Sequence, residues 1–315
     1  NYAGRDGGAC YGCDGVIRLN IFWCNQAARY GGALYYCGQN GSYGSRLDCF
    51  ILDNWFIKNK TYSSTNPSTA GGAISTCTAY RMEGNVFWSN QAAGASSMGG
   101  AIDSSEFSQF RQNTFYQNSA VLGGAIHETF GYVVRQIGNQ DDDPSVDVFD
   151  PGTIINESDE SVVNCIFKDN GANPYYFSYW IPRVTFYNCY LDVDPINQKV
   201  NCIGPWNGVS SPGFVTETFD GTNFHDFLHL DDDPMSPCID RGITGYAYQW
   251  TNLTPNNPPA TPNLTRDIDD SFGPRDGGPA HDSSLPLDID EDRDIGADEA
   301  PTPPSNEFDF WYEQY

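Results

Sequence analysis

The sequence predicts an all-β protein: a right-handed parallel β-helix, or solenoid, with a loop-rich C-terminal region. Three observations lead there. Gly-Gly-Ala occurs five times, beginning at Gly7, Gly31, Gly71, Gly99 and Gly123, at intervals of 24, 40, 28 and 24 residues. Phe-x-x-Asn alternates with it, as Phe22 to Asn25, Phe56 to Asn59, Phe87 to Asn90 and Phe115 to Asn118, with a further copy at Phe167 to Asn170. Each interval is too short for a strand-helix-strand unit, and no amphipathic helical stripe is evident. It is long enough for about three short strands with turns, and self-similarity at such a period is the signature of stacked repeats.

Each part of the repeat has a physical reading. Gly-Gly supplies unusual dihedrals and lets backbones approach closely at a corner. The segments that follow, such as Ala33-Leu34-Tyr35-Tyr36, Ala73-Ile74-Ser75-Thr76, Ala101-Ile102-Asp103-Ser104 and Ala125-Ile126-His127-Glu128, are strand-like. In them Leu or Ile points one way and a polar neighbour often the other. The Asn suits left-handed geometry and can hydrogen-bond in a ladder, and the Phe is placed to stack on the Phe of the next repeat. The longer intervals imply loop insertions at a corner, such as residues 62–69. After Gly131 the pattern loosens through an acidic insertion, Asp141 to Pro151, and resumes at Val162-Val163-Asn164-Cys165-Ile166-Phe167 and Val184-Thr185-Phe186-Tyr187-Asn188-Cys189. The expected organisation is repeats over 1–204, a loop-rich module packed on or capping them over 205–299, and a Pro-rich linker with an aromatic tail over 300–315.

The C-terminal third carries a second ordered string: Ser236-Pro237-Cys238-Ile239-Asp240-Arg241-Gly242, then Asp267-Ile268-Asp269-Asp270 with Pro274-Arg275, then Asp294-Ile295-Gly296-Ala297-Asp298-Glu299. This resembles bacterial secreted β-helix repeat proteins that end in a choice-of-anchor type module. The Gly-Gly-Ala and Phe-x-x-Asn repeats are similar to those of polymorphic outer-membrane adhesins. The resemblance spans about Gly7 to Glu299 and implies the β-helix fold and secretion. It is a poor guide to activity, because the fold serves many functions. Two departures stand out: Asp270 replaces the usual Gly after Asp-Ile-Asp, and no apolar anchor follows Glu299.

Composition narrows the function classes. The net charge is −25, from 16 Lys+Arg against 41 Asp+Glu. That argues against nucleic acid and anionic membrane surfaces, and favours cations as ligands. No stretch is long and apolar enough to span a bilayer, so membrane insertion is not expected. The chain does not begin with Met, and a processed or truncated N-terminus of an extracellular or cell-surface protein is expected. Ten Cys, six of them in the first 80 residues, suggest disulfides in an oxidising compartment, with pairing unreadable from sequence. A zinc site at Cys10-x-x-Cys13 has no second pair and no nearby His behind it. Asn40, Asn59, Asn156, Asn252 and Asn263 head Asn-x-Ser/Thr sequons and are the glycosylation candidates.

No catalytic constellation emerges. The Gly-His-Gly and Arg-x-Lys motifs of pectin-type hydrolases are absent. Arg111, Arg135 and Arg183 read as surface salt-bridging groups. His127-Glu128 reads as exposed polarity, and His225 with His229 as packing among Phe224, Phe227 and Leu228. Asp231 to Asp233 and Asp141 to Asp143 read as solvated acidic loops. Calcium has the best support among ligands, although no cofactor is required: Asp288, Asp290 and Asp292, with Glu299 eleven residues after the first, match most of an EF-hand loop spacing. Arg293 stands where that loop needs Gly, and no flanking helices are apparent.

The tail alternates Phe308, Phe310 and Tyr312 with Asp309, Trp311 and Glu313, a usable strand pattern. It suits docking onto its own chain or onto a neighbour. Stacked strands end in unpaired edges, and the first Gly-Gly-Ala leaves almost no room for an N-terminal cap. The expectation is therefore an extracellular, non-enzymatic structural protein. Copies of it would associate head-to-tail into a filament or surface layer through Phe308, Phe310, Trp311 and Tyr312. A carbohydrate-binding or polysaccharide-degrading protein, with glycans as partners, is the alternative, and a cell-surface adhesin is a third.

Overall fold

The computed structural model describes residues 1–39, 49–62, 68–132 and 160–171, shorter pieces between 173 and 217, and Leu228, Leu230 and Cys238. Short strands follow one another in a fixed cycle. The first cycle is β1 (Tyr2–Ala3), β2 (Cys10–Tyr11), β3 (Gly15–Arg18) and β4 (Ile21–Trp23). The second is β5 (Gln26–Ala27), β6 (Leu34–Tyr35), β7 (Cys49–Leu52) and β8 (Trp55–Ile57). The third is β9 (Lys60–Tyr62), β10 (Ile74–Ser75), β11 (Thr78–Glu83) and β12 (Val86–Trp88). The fourth is β13 (Gln91–Ala93), β14 (Ile102–Asp103), β15 (Glu106–Arg111) and β16 (Thr114–Tyr116). Then come β17 (Ile126–His127), β18 (Phe130–Tyr132), β19 (Glu160–Val163), β20 (Ile166–Lys168), β21 (Tyr175–Tyr176), β22 (Thr185–Tyr187), β23 (Tyr190–Leu191) and β24 (Lys199–Val200). The described residues contain no α-helix, only a 3-10 turn at Pro205–Asn207. No helix among them is long and apolar enough to cross a membrane.

The strands form four sheets, and each of the first four cycles adds one strand to each. Sheet one runs β1-β5-β9-β13 and sheet two β2-β6-β10-β14-β17-β21. Sheet three runs from β3 through β7, β11, β15, β18, β19 and β22 to β24, and sheet four β4-β8-β12-β16-β20-β23. Pairing is parallel throughout except between β18 and β19. The register follows the sequence repeat: Leu34 pairs with Ile74, Ile74 with Ile102 and Ile102 with Ile126.

The core lies between sheets two, three and four. Leu34, Ile74, Ile102 and Ile126 line it from sheet two, Ile51, Met82, Phe107 and Phe110 from sheet three, and Phe56, Phe87, Phe115 and Phe167 from sheet four. The Phe rings stack face to face, with centroids 4.8 Å apart from Phe22 to Phe56, Phe56 to Phe87 and Phe87 to Phe115, and 4.7 Å to Phe167. That spacing is the strand separation of a sheet, so parallel register alone places the rings. Burying each ring stabilises by about 1.5–3 kcal/mol, and each ring pair adds about 0.5–1.5 kcal/mol.

Four corners turn the chain between sheets. At one, the first Gly of each Gly-Gly-Ala has positive φ, from 58° at Gly99 to 67° at Gly7. The second Gly is packed flat: a Cβ on Gly8, Gly32 or Gly72 would lie 2.0 Å from the carbonyl oxygen of the second Gly one repeat on. The other three corners each combine a left-handed residue with a buried side-chain acceptor. Cys24, Lys58, Ser89, Gln117 and Asp169 are left-handed, and Asn25, Asn59, Asn90, Asn118 and Asn170 follow them. This corrects the expectation that the Asn itself adopts the left-handed conformation. The residue before it bends the chain, leaving the Asn amide aimed along the stack.

The Asn side chains form a ladder. Backbone N–H groups of Asn25, Asn59, Asn90 and Asn118 donate to Oδ1 of the Asn in the next repeat at 2.9–3.0 Å. A second ladder runs Asn20, Asn54, Asn85, Asn113, and passes to sulfur at Cys165, Cys189 and Cys202. A third runs Cys37, Cys77, Ser105, Thr129. A left-handed non-glycine residue costs about 1–2 kcal/mol, and these ladders are what hold thirteen of them at the corners.

The described parts of the C-terminal region pack on the outer face of sheet four. Leu228 and Phe214 meet Trp55, Ile57, Val86, Trp88 and Tyr116, and Leu230 and Cys238 meet Ile166, Tyr190 and Ile203. The rest of 205–299 and all of 300–315 lie outside the described residues.

Candidate functional site

Many of the expected site residues lie outside the described residues: Asp288, Asp290, Asp292 and Glu299; Phe308, Phe310, Trp311 and Tyr312; Asn40, Asn156, Asn252 and Asn263; Arg135, Arg183, His225 and His229. Asn59 is described, and its position removes it from the glycosylation candidates. It is fully buried, and its Nδ2 donates to Phe22 O at 2.7 Å and to Asn90 Oδ1 at 3.0 Å. A glycan on that nitrogen would occupy the ladder.

Three clusters collect the polar chemistry of the described residues. On the outer face of sheet two, Asp103 accepts from Ser75 Oγ at 3.2 Å and lies 2.8 Å from His127 Nδ1. The His127 ring stacks on Tyr176 at 5.2 Å with an interplanar angle of 4°. His127 is 5% exposed, which corrects the expectation of an exposed His-Glu pair. Ser75, Asp103 and His127 each follow Gly-Gly-Ala-Ile, so parallel register brings them into one column. Superposing the repeats would have revealed them. In this order the carboxylate sits between Ser and His, so the imidazole is not set to take the Ser proton as a triad base would. Tyr11, Tyr30, Tyr35 and Tyr36 extend the column across β2 and β6, with ring centroids 5.4–6.2 Å apart.

On the outer face of sheet three, Glu83 accepts from Arg81 Nη1 at 3.2 Å and Arg111 Nε at 3.1 Å, while Arg18 Nε reaches Asp53 at 2.9 Å. Arg81, Glu83 and Arg111 are all buried, so Arg111 belongs to a buried network on this face, not to the surface pairs expected of it. Burial pulls the Arg81 guanidinium below its ordinary range despite the neighbouring carboxylate. Removing one partner of such a network strands a buried charge, and the Arg111–Glu83 contact joins β11 to β15.

The third cluster is sulfur. Cys10 and Cys13 form a disulfide, and the Sγ atoms of Cys10, Cys13 and Cys37 all lie within 4.8 Å of one another. Among the described residues no other group of three or more His, Cys, Asp or Glu is placed to share an ion. Cys37, Cys49, Cys77, Cys165, Cys189, Cys202 and Cys238 are buried thiols, against the expectation of general disulfide pairing. Burial pushes the Cys49 thiol up to about 12.

The first cycle differs from the rest in exposure. Ten large hydrophobic side chains are exposed among the described residues, and six of them, Tyr2, Tyr11, Val16, Leu19, Ile21 and Trp23, belong to it. They flank the edge strands β1 to β4, beyond which no further strand pairs among the described residues. The Phe stack and the two Asn ladders run out on the same edge, at Phe22, Asn20 and Asn1. Comparison of the chain with protein families, with curated proteins and with solved structures returns no match.

Proposed function

We propose that this chain is a right-handed parallel β-helix of the secreted bacterial repeat type, and that copies of it stack end to end as a structural polymer outside the cell. The fixed cycle of four sheets and the one-repeat register support the β-helix reading. Parallel crossovers are right-handed in about 98% of cases. The observation that carries self-association is the apolar first-cycle edge. An open strand edge templates pairing, and soluble proteins ordinarily blunt such edges with charge or Pro. The occupant we assign to this edge is a second copy: the edge offers a Phe ring, two Asn ladder ends and a Gly-Gly corner, which suit another repeat of the same kind. A further repeat of this same chain continues all of them. A head-to-tail contact of that kind is heterologous and grows into a filament unless it closes.

Electron microscopy of the full chain tests this. Filaments are expected, lost on Val16→Lys with Ile21→Lys, two exposed edge positions. Deleting residues 306–315 asks whether the aromatic tail contributes, with loss of assembly and an intact fold expected. Discrete particles at all concentrations would remove the polymer reading.

The Tyr column favours a second reading, glycan binding on the outer face of sheet two. Tyr11, Tyr36 and Tyr176 are 63%, 39% and 38% exposed, presenting amphipathic rings, with Tyr176 stacked on His127. Glycan-array binding that disappears in a Tyr11→Ala, Tyr36→Ala double variant is the expected result. No binding by the wild-type chain would exclude it.

A further inference from the structure

We propose that Cys10, Cys13 and Cys37 bind one thiophilic divalent cation, with Zn²⁺ the natural candidate, once the Cys10–Cys13 disulfide is reduced. A lone Cys-x-x-Cys shows no second ligand set along the chain, and the fold supplies the third ligand. Strand β2 pairs with β6 so that Cys10 stands opposite Leu34 and Tyr11 opposite Tyr35. Continuing that register sets Cys13 beside Cys37, and the Gly38 N–H donates to Cys13 O at 2.9 Å, clamping the two turns together. Gly12, at φ 66° and with open space where a Cβ would stand, turns the loop so that Cys13 comes back toward Cys10.

Cys10 itself occupies the position that Leu34, Ile74, Ile102 and Ile126 hold in the following strands of sheet two. Where those repeats place an aliphatic side chain in the core, the edge repeat places a thiol, and it faces two more. Thiolates bound at about 2.3 Å around a tetrahedral cation sit about 3.8 Å from one another. The three sulfurs already lie within 4.8 Å, so side-chain rotations suffice to close on an ion. Cys10 and Cys13 are half-buried and Cys37 is buried, so a water can reach the fourth position beside Cys10 and Cys13.

The chemistry balances with a thiol reductant. Two reductant thiols become one disulfide while the Cys10–Cys13 bond is cleaved to two thiols. The cation then displaces the thiol protons of all three cysteines to solvent. The oxidised pair offers no thiolates and excludes the ion, so the site takes metal only in the reduced chain.

Cobalt titration of the full chain tests this. Protein reduced with dithiothreitol, then desalted without oxygen, should bind one Co²⁺ per chain with thiolate-to-cobalt charge-transfer absorption. Added Zn²⁺ should abolish the band. Untreated, disulfide-bonded protein should show none. Cys10→Ser and Cys37→Ser should each lose the stoichiometric band, and Cys24→Ser, at an exposed thiol outside the cluster, should keep it. Far-ultraviolet circular dichroism checks that each variant is folded, and Cys10→Ser, at the partly exposed edge strand, decides the matter if Cys37→Ser fails to fold. Reduced wild type without the band, or a folded Cys10→Ser variant that binds like wild type, overturns the proposal.

Discussion

Gly100→Ala is expected to destabilise the protein by about 3 kcal/mol or more, the upper end of what overpacking costs in a close-packed interior. A Cβ at this position would lie 1.9 Å from Gly124 O, 2.5 Å from Ser119 N and 2.6 Å from Ser119 C. All three are backbone atoms, so no rotamer change relieves the contact. The strands must separate, and that strains the bonds from Gly100 N–H to Gly123 O at 2.9 Å and from Gly72 N–H to Gly99 O at 3.0 Å. Two other glycines separate this steric effect from backbone freedom. A Cβ at Gly4 meets nothing within 4 Å and needs no unusual φ, so Gly4→Ala should stay within about 0.5 kcal/mol. Gly12 has open space but φ 66°, so Gly12→Ala should cost about 1–2 kcal/mol from the left-handed backbone alone. Urea midpoints for the three variants provide the ranking. Gly100→Ala indistinguishable from Gly4→Ala would mean that the Gly-Gly corner is not the close approach described.

That ranking also shows why so much of the fold is legible in the sequence. A Cβ that would lie 2 Å from a neighbouring backbone oxygen is poorly tolerated, so Gly-Gly-Ala precedes β2, β6, β10, β14 and β17, and gives way only before β21, where Asn173 and Pro174 stand opposite Gly124 and Ala125. The Phe stack and the Asn ladder are equally visible, because each places one residue type once per repeat. The polar clusters are harder to see. Asp103 and His127 look unrelated until their repeats are laid over one another, since the column joining them runs across strands, perpendicular to the chain. Arg111 meets Glu83, 28 residues earlier, for the same reason. The buried thiols are hidden for a different reason. Ten Cys suggest disulfides, but Cys165, Cys189 and Cys202 occupy rungs of a hydrogen-bond ladder. Nothing in a thiol's sequence context announces that its sulfur replaces an amide oxygen.

The ladder that passes from Asn to Cys yields the second large effect. Asn113→Ala is expected to lose about 2–4 kcal/mol, and Asn113→Cys markedly less. Asn113 Oδ1 accepts the Asn85 N–H at 3.0 Å, and Asn113 Nδ2 donates to Met82 O and Arg111 O, both at 2.9 Å. Alanine removes the acceptor and strands the Asn85 N–H in a fully buried corner. An orphaned buried donor costs about 1–3 kcal/mol, and the two carbonyls each lose a donor besides. Cysteine keeps the one contact that the corner shares throughout: a side-chain acceptor beneath the preceding repeat's N–H. The protein makes this substitution itself one rung later, where Asn113 N–H donates to Cys165 Sγ at 3.4 Å. The third ladder accepts through Sγ of Cys77, Oγ of Ser105 and Oγ1 of Thr129 in succession. What the corner requires is therefore an inward acceptor of short reach, and the amide is one of several groups that provide it. Unfolding midpoints of Asn113→Ala, Asn113→Cys and Asn113→Leu decide between this and a requirement for Asn alone. If cysteine falls with alanine and leucine, the amide's two donor bonds carry the corner. If cysteine stands apart from them, the acceptor does, and the buried thiols of this chain are structural groups whose alkylation or oxidation would open the stack.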